Sequence, residues 1–79
     1  MQYVYILRSL AEPERHYVGT TADLKARLVK HNAGAVSHTS KYAPWRIKTY
    51  LAFYDEAQAL AFEKYLKTAS GRAFAKKRL

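Results

Sequence analysis

Residues 2–8 are dominated by aromatic and β-branched side chains, with Tyr3, Tyr5 and Leu7 alternating against Val4 and Ile6. That pattern predicts a strand buried on both faces. Residues 10–15 form a polar, Pro-containing connection, and residues 16–20 read as a second short strand, so residues 2–20 should form a β-hairpin. Gly19 lacks a Cβ, which permits a bulge or a close approach by another backbone or a ligand. Leu24 and Leu28, four apart, mark the apolar stripe of a helix. Thr20 or Thr21 is its expected cap, Asp23 favours its first turn, and Asn32-Ala33-Gly34 stops it. Residues 35–44 read as a polar loop ending at Pro44. Residues 45–54 read as a third strand, with Ile47, Leu51 and Phe53 in the core. Asp55 caps the next helix, whose apolar face is Ala59, Phe62, Leu66 and Ala69. Ser70 caps a short final helix ending in Lys76-Lys77-Arg78. The order β-β-α-β-α-α predicts an α+β fold, a small and largely antiparallel sheet flanked by helices.

Length and composition narrow this picture. Seventy-nine residues make one domain, 1–79, near the lower limit for a self-sufficient core. There is no cysteine, so disulfides and zinc-thiolate staples are excluded, and seven Tyr, three Phe and one Trp supply much of the packing. The start carries no basic leader and no span of membrane length, which makes a cytoplasmic protein the simplest expectation. The net charge is +8 and unevenly spread: residues 1–24 carry −1 and residues 25–79 carry +9. Such a surface attracts polyanions, nucleic acid above all, and no helix has the character of a membrane-surface anchor.

Five residues could do chemistry. Tyr5 and Tyr17 fall on the two arms of the hairpin, where their hydroxyls can converge. Each could act as a general base near cations, or serve as a core tyrosine with one wet edge. Arg27 and His31 are spaced i, i+4 and share a helix face. Arg27 can grip a phosphate in two-pronged fashion, and His31 can bind a phosphate oxygen, position water or carry a proton. A solvated basic helix face fits the same spacing. Glu63 lies at the border of an apolar stripe, where one carboxylate with waters and a substrate phosphate can hold Mg²⁺. It is equally placed for an i, i+4 surface pair with Lys67. Lys41, Arg46, Lys48, Lys64, Lys67, Arg72, Lys76, Lys77 and Arg78 are candidates to hold a nucleic-acid backbone.

The ordered set resembles the GIY-YIG endonuclease superfamily. The likeness covers residues 2 to about 70 and is strongest from Tyr17-Val18-Gly19 through Arg27 to His31-Asn32, with Ala61-Phe62-Glu63-Lys64 resembling the family's glutamate helix. It is closest to the small stand-alone bacterial members made of the nuclease module alone. The resemblance implies a three-stranded antiparallel sheet with flanking helices. It also implies hydrolysis of DNA phosphodiesters with one Mg²⁺ or Mn²⁺, with Tyr5, Tyr17, Arg27, His31 and Glu63 in the catalytic positions and Glu63 on the metal. Tyr3 stands at the glycine of the first tripeptide, Thr20 stands where some members carry a lysine, and the only asparagine is Asn32. A non-catalytic DNA- or RNA-binding module that keeps the fold is the alternative reading. A monomer is the default expectation.

Overall fold

The computed structural model describes residues 1–79. The elements are β1 (Gln2–Ser9), β2 (His16–Thr21), α1 (Leu24–Asn32), α2 (Ser37–Ser40), β3 (Trp45–Phe53), α3 (Glu56–Leu66) and α4 (Ala69–Arg78). The strands form one antiparallel sheet in the order β2-β1-β3, so β1 is central. This is the three-stranded α+β arrangement that the sequence predicts.

Because β1 is central and successive side chains alternate, its residues feed two cores. Val4 and Ile6 pack with Ala59 and Leu66, backed by Val18, Phe53, Phe62 and Ala75. Tyr5 and Leu7 pack with Trp45 on the opposite face, backed by Tyr17, Leu24, Leu28 and Ile47. Helices α3 and α4 therefore cover one face, and α1 with the segment leading into β3 covers the other.

Several local expectations are corrected. Asp23, not Thr20 or Thr21, caps α1: its carboxylate accepts from Ala26 N at 3.1 Å, while Thr21 Oγ1 accepts from Asp23 N. Residues 35–44 are not all loop, since Ser37–Ser40 form a short helical turn. Thr68, not Ser70, caps α4 by accepting from Gly71 N at 3.0 Å, and Ala69 belongs to α4 and is exposed. Asp55 caps α3 as expected, accepting from Ala57 N at 2.8 Å. Ile47, Leu51 and Phe53 are half-buried, and they do not share one core. The β1–β3 register slips between Ile6↔Thr49 and Leu7↔Ile47, leaving Lys48 without a partner. This bulge sends Phe53 to one core and Ile47 to the other.

The joint between α3 and α4 is tight. A Cβ at Gly71 would lie 1.8 Å from the Tyr65 carbonyl oxygen, so only glycine lets the helices meet at this distance. The joint fixes the end of α3, and with it Glu63. Asn32 fixes the end of α1 in a similar way. Its amide accepts from Trp45 N at 2.6 Å and donates to Trp45 O at 3.0 Å, tying the helix to the start of β3. No helix is long and apolar enough to cross a membrane.

Candidate active site

The site is built where α1 packs on the Tyr5, Leu7 and Trp45 face of the sheet. With the helix capped at Asp23, Arg27 falls one turn in and His31 one turn further. Both point back at Tyr5. Arg27 Nε donates to the Tyr5 hydroxyl at 3.3 Å, and that hydroxyl lies 2.9 Å from His31 Nε2. The other imidazole nitrogen, Nδ1, lies 2.7 Å from Thr39 Oγ1. Tyr5 is 2% exposed, and His31 and Thr39 are 0% exposed.

The hydrogen-bond network assigns the direction of each bond. Thr39 has one hydroxyl proton and gives it to the Val36 carbonyl at 3.2 Å. Toward His31 it is therefore an acceptor, and His31 carries its proton on Nδ1. His31 Nε2 is then an acceptor, and Tyr5 donates to it. The chain runs from the Arg27 N–H to the Tyr5 hydroxyl, from Tyr5 to His31, from His31 to Thr39 and from Thr39 to the backbone. Every buried polar side-chain atom of the protein is paired.

The electrostatics agree with that direction. Burial, with help from the Arg27 charge, holds His31 below the ordinary imidazole value, so the ring is neutral and able to accept a proton. Burial pushes the Tyr5 phenol up, against the hydrogen bond and charge of Arg27 that pull it down. A standing phenolate is thus disfavoured. Arg27 is held firmly charged, first by its hydrogen bond to Tyr5.

Gly19 sits opposite Tyr5 on β2. A Cβ there would come within 2.6 Å of the Tyr5 hydroxyl oxygen and 3.1 Å of the Tyr17 ring. The close approach that the sequence allows at Gly19 is made by the Tyr5 side chain. Tyr17 packs on His31 with ring centroids 5.0 Å apart and on Tyr5 at 6.4 Å. A groove of about 210 Å³ opens beside Arg27, with Lys30 as a second cation.

Glu63 approaches from α3. Its charge acts on Tyr5, raising the phenol's pKa slightly further. Its side chain is 20% exposed and pairs with Lys67 at 3.2 Å. No group of three or more His, Asp or Glu side chains surrounds a common point. One hard oxygen donor in a half-open position suits Mg²⁺ or Mn²⁺, which keep waters and take substrate oxygens. The Lys67 pair is worth about 0.2–0.5 kcal/mol and yields easily to a dication.

The structure therefore brings Tyr5, Tyr17, Arg27 and His31 together, and Glu63 acts on Tyr5 through its charge while its own contact is with Lys67. His31 is fully enclosed, so direct contact with a phosphate oxygen is not its role. The predicted backbone-holding cations are all exposed but do not form one patch. Lys64 and Lys67 flank Glu63 on α3. Lys48, Arg72 and Lys76 line a cavity on the other face of the sheet. Arg46 faces Arg8 across the strands, and Lys41 lies near the Tyr42 ring. Lys77 and Arg78 end α4. Thr39 was missed by sequence reasoning, because Ser37-His38-Thr39-Ser40 is a polar run with no periodicity to mark one buried member.

The family profile of the GIY-YIG catalytic domain matches residues 1–78. The chain belongs to the GIY-YIG family. Among its relatives is the structure-specific endonuclease subunit SLX1 of Candida dubliniensis, 38% identical over 73 residues, covering 84% of this chain and 26% of the relative. An SLX1 homolog of Giardia intestinalis is 35% identical over 65 residues, covering 77% of this chain and 18% of the relative. A UPF0213 protein of Lacticaseibacillus paracasei is 38% identical over 66 residues, covering 82% and 72%. This GIY-YIG chain thus spans about a quarter or less of the two SLX1 relatives, and most of the bacterial one.

Proposed function

We propose that this chain is a metal-dependent endonuclease that hydrolyses DNA phosphodiester bonds with low sequence specificity, in repair or recombination. The observation that carries the reading is the directed chain Arg27–Tyr5–His31–Thr39 with Glu63 beside it. Packing alone requires no such order of donors and acceptors.

Tyr5 is the general base and His31 takes the proton through it. Arg27 and His31 already occupy two of the bonding directions of the Tyr5 hydroxyl. The remaining lone pair is free to accept from a water. As that water's oxygen bonds to phosphorus, its proton passes to Tyr5 and the Tyr5 proton passes to His31. The phosphorus–oxygen bond opposite the incoming water breaks, and that sugar oxygen leaves with the bonding electron pair and takes a proton from solvent water. Because the two transfers are linked, no free phenolate is needed, and this avoids a cost of about 1.36 kcal/mol per unit of pKa above ambient pH. Arg27 stabilises the charge that develops on the phosphate. Glu63 would hold one Mg²⁺ or Mn²⁺, which when bound supplies Lewis-acid polarisation of a non-bridging oxygen. Tyr17 packs on His31 and Tyr5 and keeps the pair aligned.

The exposed lysines and arginines hold the nucleic-acid backbone without reading its bases. The reading treats residues 1–79 as one nuclease module, monomeric and cytoplasmic. The test is cleavage of a labelled DNA duplex across a Mg²⁺ and Mn²⁺ series, with Glu63→Ala alongside. Glu63→Ala should lose cleavage and still shift DNA in a gel. Cleavage by Glu63→Ala at the wild-type rate would overturn the metal role.

A further inference from the structure

A cavity of about 420 Å³ lies away from the tyrosines, on the α3/α4 face of the sheet. Its floor is apolar: Ile6, Val18, Leu66 and Ala75. Ile6 and Val18 are cross-strand partners, and their side chains point away from Tyr5 and Tyr17. The walls carry Lys48, Arg72 and Lys76, with Glu14 from the β1–β2 connection and His16 from the start of β2.

Two observations set this cavity apart from an ordinary surface dip. The first is that its cations are unpaired. The ion pairs of the structure are Arg15–Glu12 and Lys67–Glu63, so none of Lys48, Arg72 and Lys76 has a carboxylate partner. Three cations against one carboxylate leave a local excess of positive charge over an apolar floor. After burial, Lys48 and Arg8 are what hold His16 below its ordinary value, in keeping with that field.

The second is the bulge. In an unbroken register Lys48 would pair with Leu7 and point into the Trp45 core. The slip between Thr49 and Ile47 removes Lys48 from that position, and it lines the cavity beside Ile6 instead. Bulges commonly re-aim a side chain in this way.

We infer that this cavity binds a nucleoside phosphate, free or as one unit of a strand, with the base on the apolar floor and the phosphate between Lys48, Arg72 and Lys76. The volume lies within the about 300–1,000 Å³ of small-ligand sites. A planar base meets the floor, and a doubly or singly charged phosphate matches the charge excess. Glu14 is an acceptor for a base amino group or a sugar hydroxyl. The site is separate from the proposed catalytic groups, and its existence does not depend on cleavage.

The test is an NMR titration of the isotope-labelled full chain with dAMP, deoxyadenosine, inorganic phosphate and the 5′-phosphorylated dinucleotide of adenine. Saturable shifts at the methyls of Ile6, Val18, Leu66 and Ala75 are expected with dAMP. Deoxyadenosine should bind at least tenfold more weakly. The double variant Arg72→Gln, Lys76→Gln should weaken dAMP at least tenfold, and Lys48→Gln severalfold, each keeping the wild-type spectrum elsewhere because all three residues are exposed. Lys25→Gln, on α1, removes the same single charge as Lys48→Gln but on the other face of the sheet, and should leave binding within twofold of wild type. Tighter binding of dAMP than of the dinucleotide identifies a free nucleotide as ligand, and the reverse identifies a strand. The inference is overturned if dAMP moves no floor methyl, if phosphate alone reproduces its shifts, or if Lys25→Gln weakens it as much as the cavity variants. No cleavage is read, so failure here leaves the nuclease reading intact, and an inactive protein that binds dAMP leaves this inference intact.

Discussion

A neutral imidazole has one donor and one acceptor nitrogen, and at His31 the assignment is made by Thr39. Thr39 touches no substrate groove, so it acts by positioning. Thr39→Val keeps the shape and removes the acceptor. It should lower cleavage by about 10–100-fold, as loss of an outer partner of a functional histidine does. Thr39→Ser should restore most of the rate. Imidazole nitrogen shifts in an NMR spectrum should show the Nδ1-protonated form in wild type and Thr39→Ser but not in Thr39→Val. Equal tautomers in all three would remove this role. The His31 value also makes a prediction about acid. The folded value lies below the unfolded value of 6.5, so the unfolded chain binds the extra proton first. The stabilisation from a neutral His31 is full above pH 6.5 and is lost as pH falls from there to the depressed value. Denaturant midpoints should hold steady above pH 7 and decline below about 6.5, and a His31→Ala variant should show a smaller decline, the remainder coming from His16, which is also held below its ordinary value. The same variant should be less stable by about 1–3 kcal/mol, since Tyr5 and Thr39 lose a buried partner.

At the scale of elements, geometry depends on where backbone passes close to side chain. Gly19→Ala puts a Cβ 2.6 Å from the Tyr5 hydroxyl and should push the ring off Arg27 and His31. Activity should fall more than stability, with a loss of about 1–3 kcal/mol in the denaturant midpoint. A variant as active as wild type would show that Tyr5 need not be held. The strands, the sidedness of β1, and the i, i+4 placement of Arg27 and His31 were legible because each rests on a short-range period. The caps were less so: Thr20, Thr21 and Asp23 are all competent, and only the geometry leaving β2 selects Asp23. The bulge at Lys48 was not legible. The alternation of Ile47, Thr49, Leu51 and Phe53 is unbroken in sequence, and the slip is set by pairing with β1, which no local pattern encodes. Thr39 was hidden for a similar reason, because its burial comes from His31, eight residues earlier, and from Trp45, whose indole donates to the Thr39 carbonyl at 2.8 Å.

For the whole molecule, charge and sheet divide the labour. The net charge of +8 is distributed over both faces and the α4 end. Association with DNA should therefore be tolerant of sequence and steeply dependent on salt, with log affinity falling by about 0.9 per duplex phosphate contacted for each tenfold rise in salt. Gel-shift titrations at two salt concentrations on unrelated duplexes of equal length check both halves of that statement. The Tyr5 hydroxyl connects Arg27, which lines the groove, to the buried pair His31–Thr39. The measurement that bears most directly on the account is nicking of supercoiled plasmid with Mg²⁺ or Mn²⁺ by wild type, Tyr5→Phe and Tyr17→Phe, purified identically. Wild type should nick, Tyr5→Phe should lose about 10²–10⁴-fold as a general base does, and Tyr17→Phe should retain clearly more activity than Tyr5→Phe. Nicking by Tyr5→Phe at the wild-type rate would contradict the proton path through Tyr5 to His31.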